Sequence, residues 1–218
     1  MLFATLIAVC LLALGGKAES DVQSDTASKL QRRGHDDSLP PVTFIMRDSN
    51  EHVGGKLLIY NSDGTLAFTF RRAVLNSDGL SNVEVRDVRN NFSINLESND
   101  DTCFKKSHYV EREKNLGQFK IDPRGAKADR WHFTRKTPHG DFKYDFHRKY
   151  FSKDGNIYIK DTHVRVASLT SEIRHEAWLQ PGKHGVPTFS LHLQYNTEPI
   201  FFVALMGLDL TRVDTCGL

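Results

Sequence analysis

Nine consecutive apolar residues decide the fold of this 218-residue chain: Ile200-Phe201-Phe202-Val203-Ala204-Leu205-Met206-Gly207-Leu208. Thr197 precedes them as an N-cap, with Glu198 and Pro199 in the first turn. Together with Arg212 near the end, this pattern predicts a helix over residues 198–215. A helix that is apolar all round must be buried all round. Because the run is too short to span a bilayer, the rest of the chain has to enclose it.

Apolar and polar side chains alternate along most of the chain from Val42 onward. This alternation is typical of antiparallel strands with one buried and one solvated face. The clearest runs are Leu66–Phe70, Val83–Val85, Phe119–Ile121, Phe142–Phe146, Val164–Val166 and Phe189–Tyr195. Short turn signals such as Asn61-Ser62-Asp63-Gly64 separate them, which indicates a sandwich or a barrel. Since the helix must be enclosed, we predict a mainly β fold, a closed antiparallel barrel around one buried C-terminal helix.

The beginning of the chain predicts secretion. Leu2–Leu14 is apolar and uncharged but shorter than a membrane-spanning helix. Small residues at Gly16 and Ala18 predict signal-peptide cleavage after Ala18. We therefore expect residues 1–18 to be a signal peptide and the protein to be extracellular, without a transmembrane anchor. An uncleaved membrane anchor is the alternative.

A polar segment follows the signal peptide. Residues 19–39 have few large aliphatic side chains, which predicts a disordered leader. Arg32 and Arg33 within it match the site of a kexin-type processing protease, so we expect a propeptide that ends at Arg33. A chance pair of basic residues is the alternative. This fungal-type secretory route leaves residues 40–218 as the folded domain.

Cysteine usage agrees with secretion. Cys10 leaves with the signal peptide, and Cys103 and Cys216 remain, an even number in an oxidising compartment. We expect one disulfide between them, which would contribute about 4–5 kcal/mol in the chain-entropy model. Two buried free thiols are the alternative.

The sequence has one glycosylation sequon, Asn91-Phe92-Ser93. Phe92, Ile94 and Leu96 alternate on one face of the predicted strand, which leaves Asn91 on the opposite, solvated face. We therefore expect a glycan on Asn91.

Three stretches resemble the tubby C-terminal-like superfamily, in its LURP-one-related branch: an opening hairpin at Lys56–Gly64, a central hairpin at Phe142–Tyr150 followed by Ser152–Ile159, and a core helix at Glu198–Asp209. The likeness spans residues 42–216. It implies a twelve-stranded barrel around a central helix. It also implies binding of phosphoinositide head groups through basic residues, although the family includes lipid scramblases and plant defence proteins. The phosphoinositide-binding members of that family act on cytosolic membranes, whereas this chain begins with a secretory leader. We therefore expect a secreted effector that acts on a host.

Basic residues are concentrated among aromatic ones over residues 130–153. Their outward-facing members would bind an anionic lipid head group or an acidic glycan. Asp145 lies between Lys143 and His147 and opposes anion binding there. The better candidates are therefore the basic residues near strand ends, Arg135, Lys136, Arg148 and Lys149. In the alternative interpretation, the aromatic residues belong to the core and the charged residues are only the solvent-exposed face of a hairpin.

Other function classes find little support in the sequence. The net charge of +2 gives no reason to expect a nucleic-acid partner. The chain has no G-x-S-x-G, H-E-x-x-H, P-loop or C-x-x-C motif, and its ten histidines are scattered. We therefore expect a monomeric, non-catalytic binding module without metal or cofactor. Two classes stay open: a hydrolase with an unrecognised site, for which Glu172, His175 and Glu176 offer acid–base groups, and an extracellular structural protein without a small ligand.

Overall fold

The computed structural model of the chain describes residues 41–48, 55–124, 127–194 and 197–217. All of them belong to the unit Asp36–Leu218. The predicted signal peptide, the predicted leader and the processing sites at Ala18, Arg32 and Arg33 lie outside the described residues and stay predictions.

Twelve strands and one α-helix make up the described part of the chain. The strands are β1 (Val42–Arg47), β2 (Leu57–Asn61), β3 (Leu66–Val74), β4 (Ser81–Asp87), β5 (Phe92–Ser98), β6 (Ser107–Glu111), β7 (Gly117–Arg124), β8 (Lys127–Thr137), β9 (Gly140–Arg148), β10 (Gly155–Ile159), β11 (Arg165–Arg174) and β12 (Val186–Leu193). The helix α1 spans Ile200–Cys216, and a short 3-10 turn at Ala177–Leu179 precedes β12.

The strands form a closed antiparallel barrel. Each strand pairs with its neighbours in the chain, and β1 closes the sheet by pairing with β12, with Val42 opposite Leu193 and Arg47 opposite Thr188. Closure leaves no sheet edge unpaired. The predicted mainly β fold, a closed barrel with a C-terminal helix, is thus confirmed. The strand number is the twelve that the resemblance implied.

Helix α1 is buried on all sides from Ile200 to Leu210. Phe202 and Ala204 lie on nearly opposite faces of the helix, and both are 0% exposed. A Cβ atom built on Gly207 would lie 2.3 Å from Cδ2 of Phe70 on β3, so only glycine lets the helix approach that strand so closely. The all-round burial predicted from the apolar run is therefore observed.

The start of α1 differs from the prediction by two residues. Pro199, not Thr197, occupies the N-cap position, and no side chain caps the first turn. The carbonyl of Pro199 accepts the first helical hydrogen bond from the Val203 amide at 2.9 Å. The helix therefore begins at Ile200, after the proline.

Aromatic rings fill the barrel beside the first turns of α1. The Phe202 ring centroid lies 5.2 Å from that of Phe133 and 5.1 Å from that of Tyr144, in edge-to-face contacts. Phe133 and Tyr144 stack on each other at 4.7 Å. Edge-to-face and stacked pairs are the favourable aromatic geometries. The aromatic residues of the basic stretch are therefore core residues.

Successive hairpin connections alternate between the two ends of the barrel, as they do in any up-and-down barrel. The connections that follow β3, β5, β9 and β11 lie at the end where α1 finishes, and we call this end the C-terminal rim. There Arg212 Nη1 lies 3.3 Å from the hydroxyl of Ser107, the first residue of β6. At the opposite end, the N-terminal rim, the Phe201 ring packs against Gly117, the first residue of β7.

Two kinds of contact hold the end of α1 to the connection between β5 and β6. The sulfur atoms of Cys103 and Cys216 lie at disulfide distance, with their Cα atoms 5.3 Å apart, as predicted. Beside them the fully buried Asp101 carboxylate pairs with two guanidinium groups, that of Arg212 at 3.0 Å and that of Arg72 at 2.7 Å. The C-terminal turns of the helix are thus tied to a segment distant in sequence.

Candidate anion-binding site

The four basic residues expected to bind an anion do not lie together. Arg135 and Lys136 stand near the end of β8 at the N-terminal rim, whereas Arg148 and Lys149 stand at the end of β9 at the C-terminal rim. Arg135 pairs across the hairpin with Phe142. At about 3.4 Å per residue, the two pairs of basic residues are therefore separated by roughly 20 Å.

These four residues also have local contacts. Three of them already meet a polar side chain, in the pairs Arg135–Glu198, Lys136–Asn115 and Lys149–Asp154. The fourth, Arg148, keeps its Nε buried without a hydrogen-bond partner among the described residues. Anion binding by this set stays a prediction, and the separation of its members gives it no support.

A groove on the outer wall of the barrel brings other cations together. It has a volume of about 250 Å³ and lies across β7, β8 and β9 and the end of β10. Its lining consists of Gln118, Lys120, His132, Phe133, Thr134, Lys143, Tyr144 and Lys160. We call it the lysine groove, after Lys120, Lys143 and Lys160.

Strand register explains why these side chains converge. Lys120 lies opposite His132, and His132 lies opposite Asp145, which makes one row across the wall. Thr134 lies opposite Lys143 in the adjacent row on the same face. Side chains directly opposite one another in antiparallel strands have Cβ atoms about 5 Å apart, so the two rows form one continuous patch.

Lys160 joins the patch from the fourth strand. Its amide donates a hydrogen bond of 2.9 Å to the carbonyl of Lys143, which extends the ladder just past the end of β10. This bond holds the two lysine backbones side by side. Three ammonium groups thus come from three different strands or strand ends.

The charge of the lysine groove is not neutralised locally. None of Lys120, Lys143 and Lys160 has a carboxylate within ion-pair distance in the part of the chain that the structure describes. Asp145, the acid two residues from Lys143 on β9, already binds His132, with 2.6 Å between Oδ1 and Nδ1. Like charges gathered on a wall without counter-charges attract an anionic ligand.

Sequence reasoning found only part of this groove. His132 and Lys143 lie within the basic stretch 130–153, but Lys120 and Lys160 lie outside it. Only the pairing of β7 with β8 and of β10 with β9 brings them near. The alternation of Phe119, Lys120 and Ile121 predicts that Lys120 faces outward. It does not predict which strand pairs with β7.

A second polar cluster lies on the outer wall near β1, β11 and β12. His192 contacts the Thr43 hydroxyl through Nδ1 and the Glu172 carboxylate through Nε2, each at 3.1 Å. Glu172 also accepts a hydrogen bond from Thr170 at 2.8 Å. Burial opposes ionisation, but the hydrogen bonds from Thr170 and His192 outweigh it and hold the pKa of Glu172 below its ordinary value.

The geometry of this cluster differs from the acid–base pair suggested by sequence spacing. Glu172 and Glu176 both bind Arg174, at 2.8 and 2.6 Å, and the histidine that Glu172 contacts is His192. Lowering the pKa of a carboxyl group keeps it ionised, whereas a general acid needs a raised pKa. The arrangement links three strands and gives the hydrolase alternative no specific support.

One acid is buried in the core without a partner. Asp209 on α1 is 0% exposed, and neither of its carboxyl oxygens has a hydrogen-bond partner among the described residues. Burial raises the pKa of Asp209 well above its ordinary value, although Arg148 and Lys153 act in the opposite direction. The folded barrel therefore favours the neutral acid at this position.

Asn91 lies in the turn between β4 and β5 and is exposed, as expected for a glycosylation site. Its backbone has φ of 49°, in the left-handed region that asparagine tolerates better than most residues. Its side-chain oxygen accepts a hydrogen bond of 2.6 Å from Arg86. Glycosylation itself stays a prediction.

No helix in the described ranges is long and apolar enough to cross a membrane. No family model matches the sequence. Searches of curated proteins and of solved structures likewise found no match.

Proposed function

We propose that this protein is a secreted, non-catalytic binding module that holds a phosphate, sulfate or carboxylate group in the lysine groove. The observation that supports this proposal most strongly is the convergence on one wall of Lys120, Lys143 and Lys160, which have no ion-pair partner among the described residues. Such a site binds by charge and hydrogen bonding and needs no reacting group.

The size and lining of the groove suit a small charged ring. Its volume of about 250 Å³ lies below the roughly 300–1,000 Å³ of pockets that enclose drug-sized ligands. Gln118 and Thr134 add neutral hydrogen-bonding groups beside the ammonium groups, which would orient sugar or inositol hydroxyls. One sugar of an acidic glycan and one phosphorylated head group share this chemistry.

Two further features support an extracellular setting. Cysteines at disulfide distance are typical of proteins that fold in an oxidising compartment. The exposed Asn91 offers an acceptor for a glycan. The closed barrel around a C-terminal helix agrees with the tubby-like resemblance, which we retain as a proposal together with a monomeric state and the absence of a nucleic-acid partner.

Calorimetric titration with two soluble probes tests the function. A short sulfated oligosaccharide represents acidic glycans, and a soluble inositol phosphate represents lipid head groups. We expect at least one probe to bind the wild-type protein, with an affinity that falls as salt rises. The triple variant K120S/K143S/K160S should lose that binding, since exposed lysines near an anionic surface contribute about 1 kcal/mol each.

A charge-matched variant separates location from net charge. R71S/R89S/K114S removes the same number of exposed basic side chains from outside both the groove and the C-terminal rim and should bind like the wild type. If both triple variants lose affinity equally, the effect comes from the overall charge of the protein and the groove is not the site. If neither probe binds at low salt, the proposed function is wrong.

A further inference from the structure

Exposed apolar side chains are distributed very unevenly over the barrel. Six large apolar side chains in the described ranges are more than half exposed: Val74, Leu75, Phe104, Tyr150, Phe151 and Ile173. All six lie at or beside the connections after β3, β5, β9 and β11, and therefore on the C-terminal rim. Clustered exposure of this kind marks an interaction surface more often than scattered single residues do.

Two connections combine aromatic tips with lysines. In the β5–β6 connection Phe104 is 94% exposed and is followed directly by Lys105 and Lys106. In the β9–β10 connection Lys149 precedes Tyr150 and Phe151, which are 56% and 68% exposed. Lys106 and Lys149 lie 4.0 and 3.6 Å from acids, but exposed pairs of this kind contribute little, so the lysines stay available.

The aromatic tip at Tyr150-Phe151 is held in a costly conformation. Phe151 has φ of 52°, a left-handed backbone that a bulky side chain adopts only against a steric penalty. The two rings lie 4.0 Å apart, outside the core. A strained residue that exposes an aromatic ring to water is consistent with a role in binding.

We propose that the C-terminal rim docks on an anionic bilayer surface. Aromatic side chains prefer the boundary between lipid head groups and acyl chains, and adjacent lysines are attracted by anionic lipids. Phe104 and Phe151 enter this boundary from separate connections, with Lys105, Lys106 and Lys149 at the head-group level. The charge of these lysines complements an anionic membrane, which is why we assign a lipid surface and not a neutral apolar protein face.

This inference does not depend on the lysine groove. Lys143 in the groove and Lys149 on the C-terminal rim are six residues apart along β9 and its end, a distance of roughly 20 Å. That is more than twice the Debye length of about 8 Å at physiological salt, so the groove adds little to attraction at the rim. A protein docked by this rim would hold the groove away from the bilayer, facing soluble ligands.

Vesicle flotation tests membrane docking. Wild-type protein should float with vesicles of phosphatidylcholine and phosphatidylserine and much less with phosphatidylcholine alone. The variant F104S/F151S should lower binding to the anionic vesicles by roughly tenfold or more for each ring removed, as expected for withdrawing an aromatic side chain from an apolar phase. Because both side chains are exposed, the variant should unfold at the wild-type temperature.

A matched variant at the opposite rim serves as the control. V42S/V88S removes the exposed side chains of two residues at the N-terminal rim, which are 38% and 41% exposed, and should bind vesicles like the wild type. The titration that tests the lysine groove uses soluble probes and no vesicles, so a failure of the groove proposal leaves this test intact.

A fluorescent probe reports insertion directly. A tryptophan placed by F104W should shift its emission to shorter wavelength with anionic vesicles, whereas one placed by V88W should not. The proposal is overturned if the wild type does not bind anionic vesicles, or if F104S/F151S binds them equally well. It is also overturned if sedimentation shows that the wild type is a dimer and that the only effect of F104S/F151S is to make it a monomer. The rim would then join two copies of the chain.

Discussion

Arg212, near the end of α1, donates a hydrogen bond of 3.0 Å to Asp101, which lies 111 residues earlier in the chain. The other oxygen of Asp101 accepts hydrogen bonds of 3.0 and 2.7 Å from Arg72 on β3. Asp101 thus joins the helix, β3 and the β5–β6 connection through one buried carboxylate. Two guanidinium groups depend on a single acid for their buried charge.

Removing that acid should destabilise the barrel severely. Asp101→Asn leaves the Arg72 and Arg212 charges without a counter-ion, and breaking a buried ion pair in this way costs about 3–5 kcal/mol. Urea unfolding followed by circular dichroism measures the loss. The exposed Asp78→Asn serves as the control and should unfold at the wild-type midpoint. Equal midpoints for both variants would show that the buried pairing contributes nothing.

Asp101 and Asp209 are both buried, but their effects on the free energy of unfolding should depend on pH in opposite directions. Burial opposes ionisation of Asp101, but the attraction of Arg72 and the hydrogen bonds to the carboxylate together outweigh it and lower its pKa below the ordinary value of 3.8. Its contribution is therefore present above pH 3.8 and is lost as the pH falls through the folded-state pKa. The raised pKa of Asp209 acts the other way, so its contribution is full below pH 3.8 and is lost as the pH rises through the folded-state pKa.

Asp209→Leu isolates the second effect. It removes a buried polar group without partners and should raise the free energy of unfolding at neutral pH by roughly 1–3 kcal/mol. The gain over wild type should grow as the pH rises above 3.8 and shrink toward acid pH. Unfolding curves for both proteins across that range test this, and a gain that is constant with pH would mean that Asp209 does not titrate as inferred.

The centre of α1 should tolerate neither charge nor a large loss of volume. Leu205→Asp places an unpaired charge at a site that is 0% exposed and should prevent folding. Leu205→Ala should fold but lose about 2–5 kcal/mol of stability through the cavity it leaves. Thermal unfolding of both variants tests these expectations. A soluble Leu205→Asp protein that unfolds cooperatively would contradict the enclosure of the helix.

Cys103 and Cys216 should be bonded in the protein purified without a reductant. Mass analysis after alkylation without a reductant should find neither cysteine modified, and reduction should expose both. In the chain-entropy model, closing a loop of 113 residues contributes about 4–5 kcal/mol, so Cys103→Ser should lower stability by a comparable amount. Two alkylated thiols in the untreated protein would rule the bridge out.

The architecture could be predicted from the sequence because the patterns that specify it lie within short stretches of the chain. The apolar run from Ile200 to Leu208 predicts a helix that needs enclosure, and period-two alternation predicts the strands that supply it. Arg212 shows the limit of such reasoning. Its place near the end of the apolar pattern helps to predict where the helix ends but gives no partner for its charge, whereas in the structure it pairs with the buried Asp101.

The candidate site was harder to predict because it depends on pairing between strands. Alternation predicts that Lys143 faces outward. In the sequence, however, Asp145 follows it closely on the same strand and argues against anion binding at Lys143. The structure shows that His132 on β8 binds Asp145, which leaves Lys143 among lysines from other strands. Neither the partner of the acid nor the convergence of Lys120 and Lys160 follows from alternation alone.

The central claim is that the lysine groove binds an anion. Its most direct test is a nuclear magnetic resonance titration with the short sulfated oligosaccharide, in which changes in amide chemical shifts are mapped onto the barrel. The account predicts that the largest changes occur at the groove residues Lys120, His132, Thr134, Lys143 and Lys160. Changes centred instead on Lys136 or Lys149, or no changes at low salt, would contradict it.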